Sequence, residues 1–164
     1  MDELTVSSLT RGSPIWNASG LQPRRLAYFG LRDVDTTEME VIRDLGIAAY
    51  YTQDIHRLGV AKAVVEALAR VDPQGTRKIH LSFDIDATPH GPSLSLNPER
   101  RGLTLKEALI LCRLIHSTGR LTAVDMVEPN PRNTMYVEQK VETACDVLVV
   151  ALGGKRTPPS YAGV

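Results

Sequence analysis

The chain has 164 residues, 43% of them hydrophobic, which suits one globular domain with a buried core. Nineteen basic and nineteen acidic side chains cancel to zero net charge and are mixed along the chain. With no basic stripe and no polybasic patch, nucleic acid and membrane surfaces are not the partners this composition selects.

Residues 1–24 are rich in Ser, Thr, Pro, Gly and Asn and show neither helical nor alternating periodicity, so they read as a loose N-terminal arm. Pro23 precedes "RRLAYFGL" (24–31), a buried strand. Thr36 or Thr37 is placed to cap a helix from about Glu38 to Leu45, and Gly46 stops it. "IAAYY" (47–51) reads as a second strand. "VAKAVVEALARV" (60–71) is helical, with Val60, Val64, Ala67, Leu68 and Val71 on one face. "DPQG" turns the chain into a third strand, "KIHLSF" (78–83), and a long loop runs from Asp84 to about Gly102. Thr104 and Glu107 have the spacing of a capping box before "LKEALILCRLIHSTG". "RLTAVDMVE" (120–128) is a fourth strand, "PNPRN" a turn, and "MYVEQKVETACDVLVVAL" (135–152) a closing helix ended by Gly153 and Gly154.

Strands alternate with helices, the order of an α/β fold with a parallel sheet and helices on both faces, spanning 25–154 with a tail at 155–164. Four central strands are expected at about 25–31, 47–51, 79–84 and 121–127. The nearly all-apolar strand 78–83 reads as a central strand of a larger sheet. No apolar run approaches the ~20 residues of a membrane span. "MDELTVSSLTRGSP" lacks the basic-then-apolar order of a secretory signal, and "SYAGV" is no retention or peroxisomal address. Cys112 and Cys145 form no motif and fit a reducing compartment, with the cytoplasm as the expectation.

In parallel sheets ligands gather at the C-terminal strand ends. Three acidic clusters fall there: Asp33, Asp35 and Glu38 in and after "GLRDVD"; Asp84 and Asp86 in "SFDID"; Asp125 and Glu128 in "DMVEPNP". Alternation puts His80, Ser82, Asp84 and Asp86 on one strand face and Ile79, Leu81, Phe83 and Ile85 on the other. Carboxylates at i and i+2 can bridge hard divalent cations, or they can be turn-forming aspartates at a solvated strand end. Glu128 is either a surface carboxylate or an anion for a cationic group, for which a planar guanidinium is the best match. Asp35 and Glu38 either accept from an ammonium group or complement the dipole of the helix they begin. His56, His90 and His116 have no ligand-spaced partner and read as structural or solvated.

Taken in order, "YFGLRDVD", "RLGV", "IHLSFDID", "GLTLKEAL", "TGRL" and "VDMVEPNP" resemble the blocks of the C-terminal half of an arginase, over about residues 24–152. Agmatinases and other ureohydrolases share the aspartate pair and the last acidic strand; "GLRDVD" followed by Glu38 favours arginase. The resemblance implies a three-layer α/β/α fold, homotrimers or hexamers, and hydrolysis of L-arginine to L-ornithine and urea at a binuclear Mn2+ centre, where metal lowers the pKa of the attacking water. It implies that Asp84 and Asp86 are metal ligands, that Asp35 and Glu38 read the α-amino end of the substrate, and that Glu128 steers its guanidinium. The family's other ligands come from Gly-Gly-Asp-His and Asp-Ala-His-x-Asp segments, and neither occurs in this chain. Residues 87–102, "ATPHGPSLSLNPERRG", also depart from the family's Asp-Pro and Pro-x-Thr-Gly-Thr-Pro loop between intact blocks, the pattern a compensated frameshift in the coding DNA would leave. The expectation is an arginase-like chain inactive alone; the alternative is a non-catalytic binding or regulatory module that associates with a full-length arginase through an exposed sheet edge.

Overall fold

The computed structural model describes residues 20–88, 102–128 and 137–155. A 3-10 turn at Pro23–Arg25 leads into β1 (Ala27–Leu31), followed by α1 (Thr36–Asp44), β2 (Ala48–Tyr51), α2 (Thr52–Leu58), α3 (Val60–Val71), β3 (Ile79–Asp84), α4 (Leu105–Ser117), β4 (Leu121–Val127) and α5 (Val137–Ala151). The α/β class and the parallel sense of the strands are as expected. The four strands form two hydrogen-bonded pairs, β1 with β2 and β3 with β4, instead of one continuous ladder. Among the described residues each strand therefore has a ladder on one side only. Most of the expected arm and tail and His90 lie outside the described residues, as does most of the altered loop.

Two local differences have clear causes. The cap of α1 is Asp35, not Thr36 or Thr37: its Oδ1 accepts from the Glu38 N–H at 2.9 Å, and Glu38 Oε2 accepts from the Asp35 N–H at 3.3 Å. A carboxylate caps as well as a hydroxyl, and the reciprocal Glu three residues on decides the register. The short α2 was invisible to periodicity because only Ile55 and Leu58 are apolar within it. Asp54 accepts from the Tyr51 N–H at 3.2 Å to start it, and Gly59, at φ +81°, separates it from α3. The Thr104–Glu107 capping box forms as the spacing indicated.

Ile55, Ala63, Val64 and Ala67 from α2 and α3, Phe83 and Ile85, Leu109 and Cys112 from α4, and Val147 and Val150 from α5 build one buried core. The expected alternation on β3 is visible in its burial: Phe83 is buried, Ile79 and Leu81 half-buried, and His80, Ser82 and Asp84 exposed. His116 Nδ1 lies 3.0 Å from the Ala151 carbonyl oxygen and ties α4 to α5, a structural role. Cys112 is fully buried, and desolvation pushes its thiol up to about 12, so it is inert, while Cys145 is exposed.

Candidate functional site

The C-terminal strand ends are brought together by three contacts. In the β3–β4 register Asp84 is opposite Val127, so Glu128 follows directly at the same end of the sheet. The Arg32 guanidinium, one residue beyond β1, donates to the Asp86 carbonyl oxygen. The Leu103 N–H donates to the Ala87 carbonyl oxygen at 2.9 Å, while its side chain lies against the position a Cβ of Gly30 would occupy. The end of β1, and with it the loop leading to Asp35, thus sits beside the end of β3.

Each candidate carboxylate has a local task there. Asp84 Oδ1 accepts from the Asp86 N–H at 2.8 Å, the turn-forming use of an aspartate at a strand end, and opens a 3-10 turn over Ile85–Ala87. Asp86 Oδ1 pairs with the Lys140 ammonium at 2.5 Å. Asp35 and Glu38 cap each other's backbone N–H groups, and both side chains are exposed. Glu128 is exposed and adopts φ +59°, a left-handed conformation uncommon for a residue with a Cβ. Asp125 does not join Glu128 at the strand end. It reaches across to β3, where His80 Nε2 lies 2.8 Å from its Oδ2 on the exposed face.

Manganese prefers several hard oxygen or nitrogen donors. Among the described residues no group of three or more His, Cys, Asp or Glu side chains is gathered closely enough to hold a metal ion. Of the two carboxylates meant to ligate, Asp84 spends an oxygen on a backbone N–H and Asp86 spends one on an ammonium. The residues present do not fit a binuclear manganese centre.

Sequence reasoning missed Arg32 and Lys140. Arg32 carried no signal, because its donation to a backbone carbonyl depends on tertiary structure. Lys140 did carry one. Spacing of four, seven and eleven residues relates it to Ala144, Val147 and Ala151, all on the buried stripe of α5. A lysine on a buried stripe requires an anion.

The paired parallel strands with interleaved helices define an α/β protein whose acidic strand ends face one edge. The chain belongs to the arginase family, whose model matches residues 1–153. It is 40% identical over 142 residues to an arginase of Eremothecium gossypii, a match covering 84% of this chain and 36% of that protein. The crystal structure of a cold-adapted arginase from the yeast Glaciozyma antarctica is similar with a TM-score of 0.68 at 36% identity, covering 81% of this chain and 44% of that one. An Entamoeba histolytica arginase in complex with L-ornithine gives a TM-score of 0.68 at 25% identity, covering 81% of this chain and 44% of that chain. The chain thus spans less than half the length of these relatives.

Proposed function

We propose that this chain provides one part of an arginase-type site and releases no urea from L-arginine by itself. In this proposal Asp84 and Asp86 are the locus for divalent cation, and Asp35, Glu38 and Glu128 face the cationic ends of an arginine-like ligand. The β3–β4 register supports the proposal: Asp84 pairs with Val127, so Glu128, a carboxylate suited to a guanidinium, follows at the same strand end. The similar arginase structure in complex with L-ornithine supports the ligand class, an α-amino acid with a cationic side chain. Manganese-dependent hydrolysis belongs to the family reading. For this chain, two carboxylates with one oxygen each already engaged support weak manganese binding at most. Two free cysteines remain in keeping with a reducing, cytoplasmic setting.

The second proposal is a non-catalytic module that associates with a full-length arginase or with its own copies. It is favoured by exposed apolar side chains, Met39, Val41 and Leu45 on and just after α1 and Val141, Val149 and Leu152 on and just after α5. A colorimetric urea assay on the purified chain with L-arginine and excess Mn2+ tests the first proposal. The expected result is no urea above the enzyme-free control. Steady release that disappears in Asp84→Asn overturns it.

A further inference from the structure

Lys140 is the feature that neither the family blocks nor the sequence clusters explain. Its side chain is only 13% exposed, yet its Nζ lies 2.5 Å from Asp86 Oδ1, and Asp86 is 52% exposed. The methylenes are covered while the ammonium reaches the acid, the usual compromise for a long cationic side chain. Asp86 is held from two further directions: its N–H donates to Asp84 Oδ1 at 2.8 Å, and its carbonyl oxygen accepts from Arg32. The Asp86 backbone is therefore fixed on both sides, and its carboxylate is held by Lys140. It is a positioned anion with a resident cation.

We propose that the Lys140 ammonium takes the place of a divalent cation at Asp86 and keeps Mn2+ off the Asp84–Asp86 pair. The inference rests on the reading that this pair is the chain's locus for divalent cation. Three physical effects act together. The ammonium occupies an oxygen that a metal would need. A dication at the same carboxylate would be held close to a fixed positive charge, and the repulsion grows where water is excluded. Lys140 cannot simply withdraw, because leaving Asp86 either strands an ammonium on the covered stripe of α5 or exposes the methylenes now packed there. Two carboxylates cannot outbid these costs, since they supply too few donors for a hard cation that already has a full shell of water.

Depletion of the free Mn2+ signal in electron paramagnetic resonance tests the proposal, with Mn2+ alone as the probe and the full chain as the protein. The wild-type chain is expected to leave the signal unchanged at Mn2+ concentrations where Lys140→Met depletes it, a gain in affinity of about tenfold or more. Lys140→Arg, which keeps the charge, is expected to behave as wild type. The gain is expected to vanish in Lys140→Met combined with Asp84→Asn and Asp86→Asn. Equal Mn2+ binding by wild type and Lys140→Met overturns the proposal. If that equal binding is abolished by Asp84→Asn and Asp86→Asn, the pair is a cation locus and only the role of the lysine fails. If those two substitutions change nothing, the locus reading fails as well. Should Lys140→Met not fold, the lysine side-chain resonances of the wild-type chain decide. An Lys140 signal undisturbed by added Mn2+ supports the proposal, and selective broadening of that signal overturns it.

Discussion

Asp72→Ala is expected to lower the stability of the chain by about 2–4 kcal/mol, roughly a 10 °C fall in melting temperature. Asp72 closes the turn before β3 and its side chain is 7% exposed. Its Oδ2 accepts from the Arg77 N–H at 2.8 Å and also pairs with the guanidinium of Arg120, the residue just before β4, the other strand of the pair. One carboxylate therefore ties together the N-terminal ends of β3 and β4, opposite the end that carries Asp84 and Glu128. Removing it leaves the largely covered Arg120 guanidinium without its anion and the Arg77 N–H without its acceptor, and that loss dominates over any gain from not burying the acid. Asp72→Asn keeps an acceptor for the N–H and is expected to cost less. Chemical denaturation of both variants checks the order. Equal stability of Asp72→Ala and wild type would show that the pairing is solvated and contributes nothing.

Leu103→Ala is expected to cost about 3 kcal/mol. Leu103 is 2% exposed and stands between the two strand pairs, its N–H on the Ala87 carbonyl oxygen and its side chain against Gly30 of β1. It fills the space where no ladder joins β1 to β3, so truncation opens a cavity at the junction that supports the acidic end. Gly30→Ala presses on the same contact: an added Cβ falls 3.1 Å from Leu103 Cγ, and Gly30 is at φ +81°. The double variant Gly30→Ala with Leu103→Ala is expected to cost less than the sum of the singles, because the new methyl partly fills the new cavity while the backbone strain remains. Strict additivity in urea denaturation would place the two side chains out of contact.

Much of this arrangement is legible in the sequence. The alternation in "IHLSFD" correctly separated Phe83 from His80 and Asp84, because a strand packed on one side must bury every second residue. The Thr104–Glu107 spacing marked a helix start for a purely local reason, two reciprocal hydrogen bonds within one turn. For Asp35 and Glu38 the helix-start reading was realised by an equally local pair of bonds. What could not be read is non-local. That the strands pair two by two, and that Arg32 reaches the Asp86 carbonyl, depend on how distant segments pack. Asp125 was grouped with Glu128 by proximity along the chain, but it pairs with Ser82, short of the strand end, and its carboxylate meets His80. Lys140 lay between these cases. Its place on the buried stripe of α5 was visible, but the acid that answers it lies 54 residues away.

The proposed site requires that the loop after β1 and the ends of β3 and β4 lie at one end of the molecule, with Asp35, Asp84, Asp86 and Glu128 on a shared edge. Distances between paired spin labels measure this without touching any of those carboxylates. In a Cys145→Ser background the buried, inert Cys112 takes no label. One label goes on Thr37→Cys, in the first turn of α1, and the second on either Val127→Cys or Thr122→Cys, at opposite ends of β4 and ~17 Å apart along the strand. The expected result is a clearly shorter distance from position 37 to 127 than from 37 to 122. The reverse order would put Asp35 and the Asp84–Glu128 edge at opposite rims and contradict the shared site.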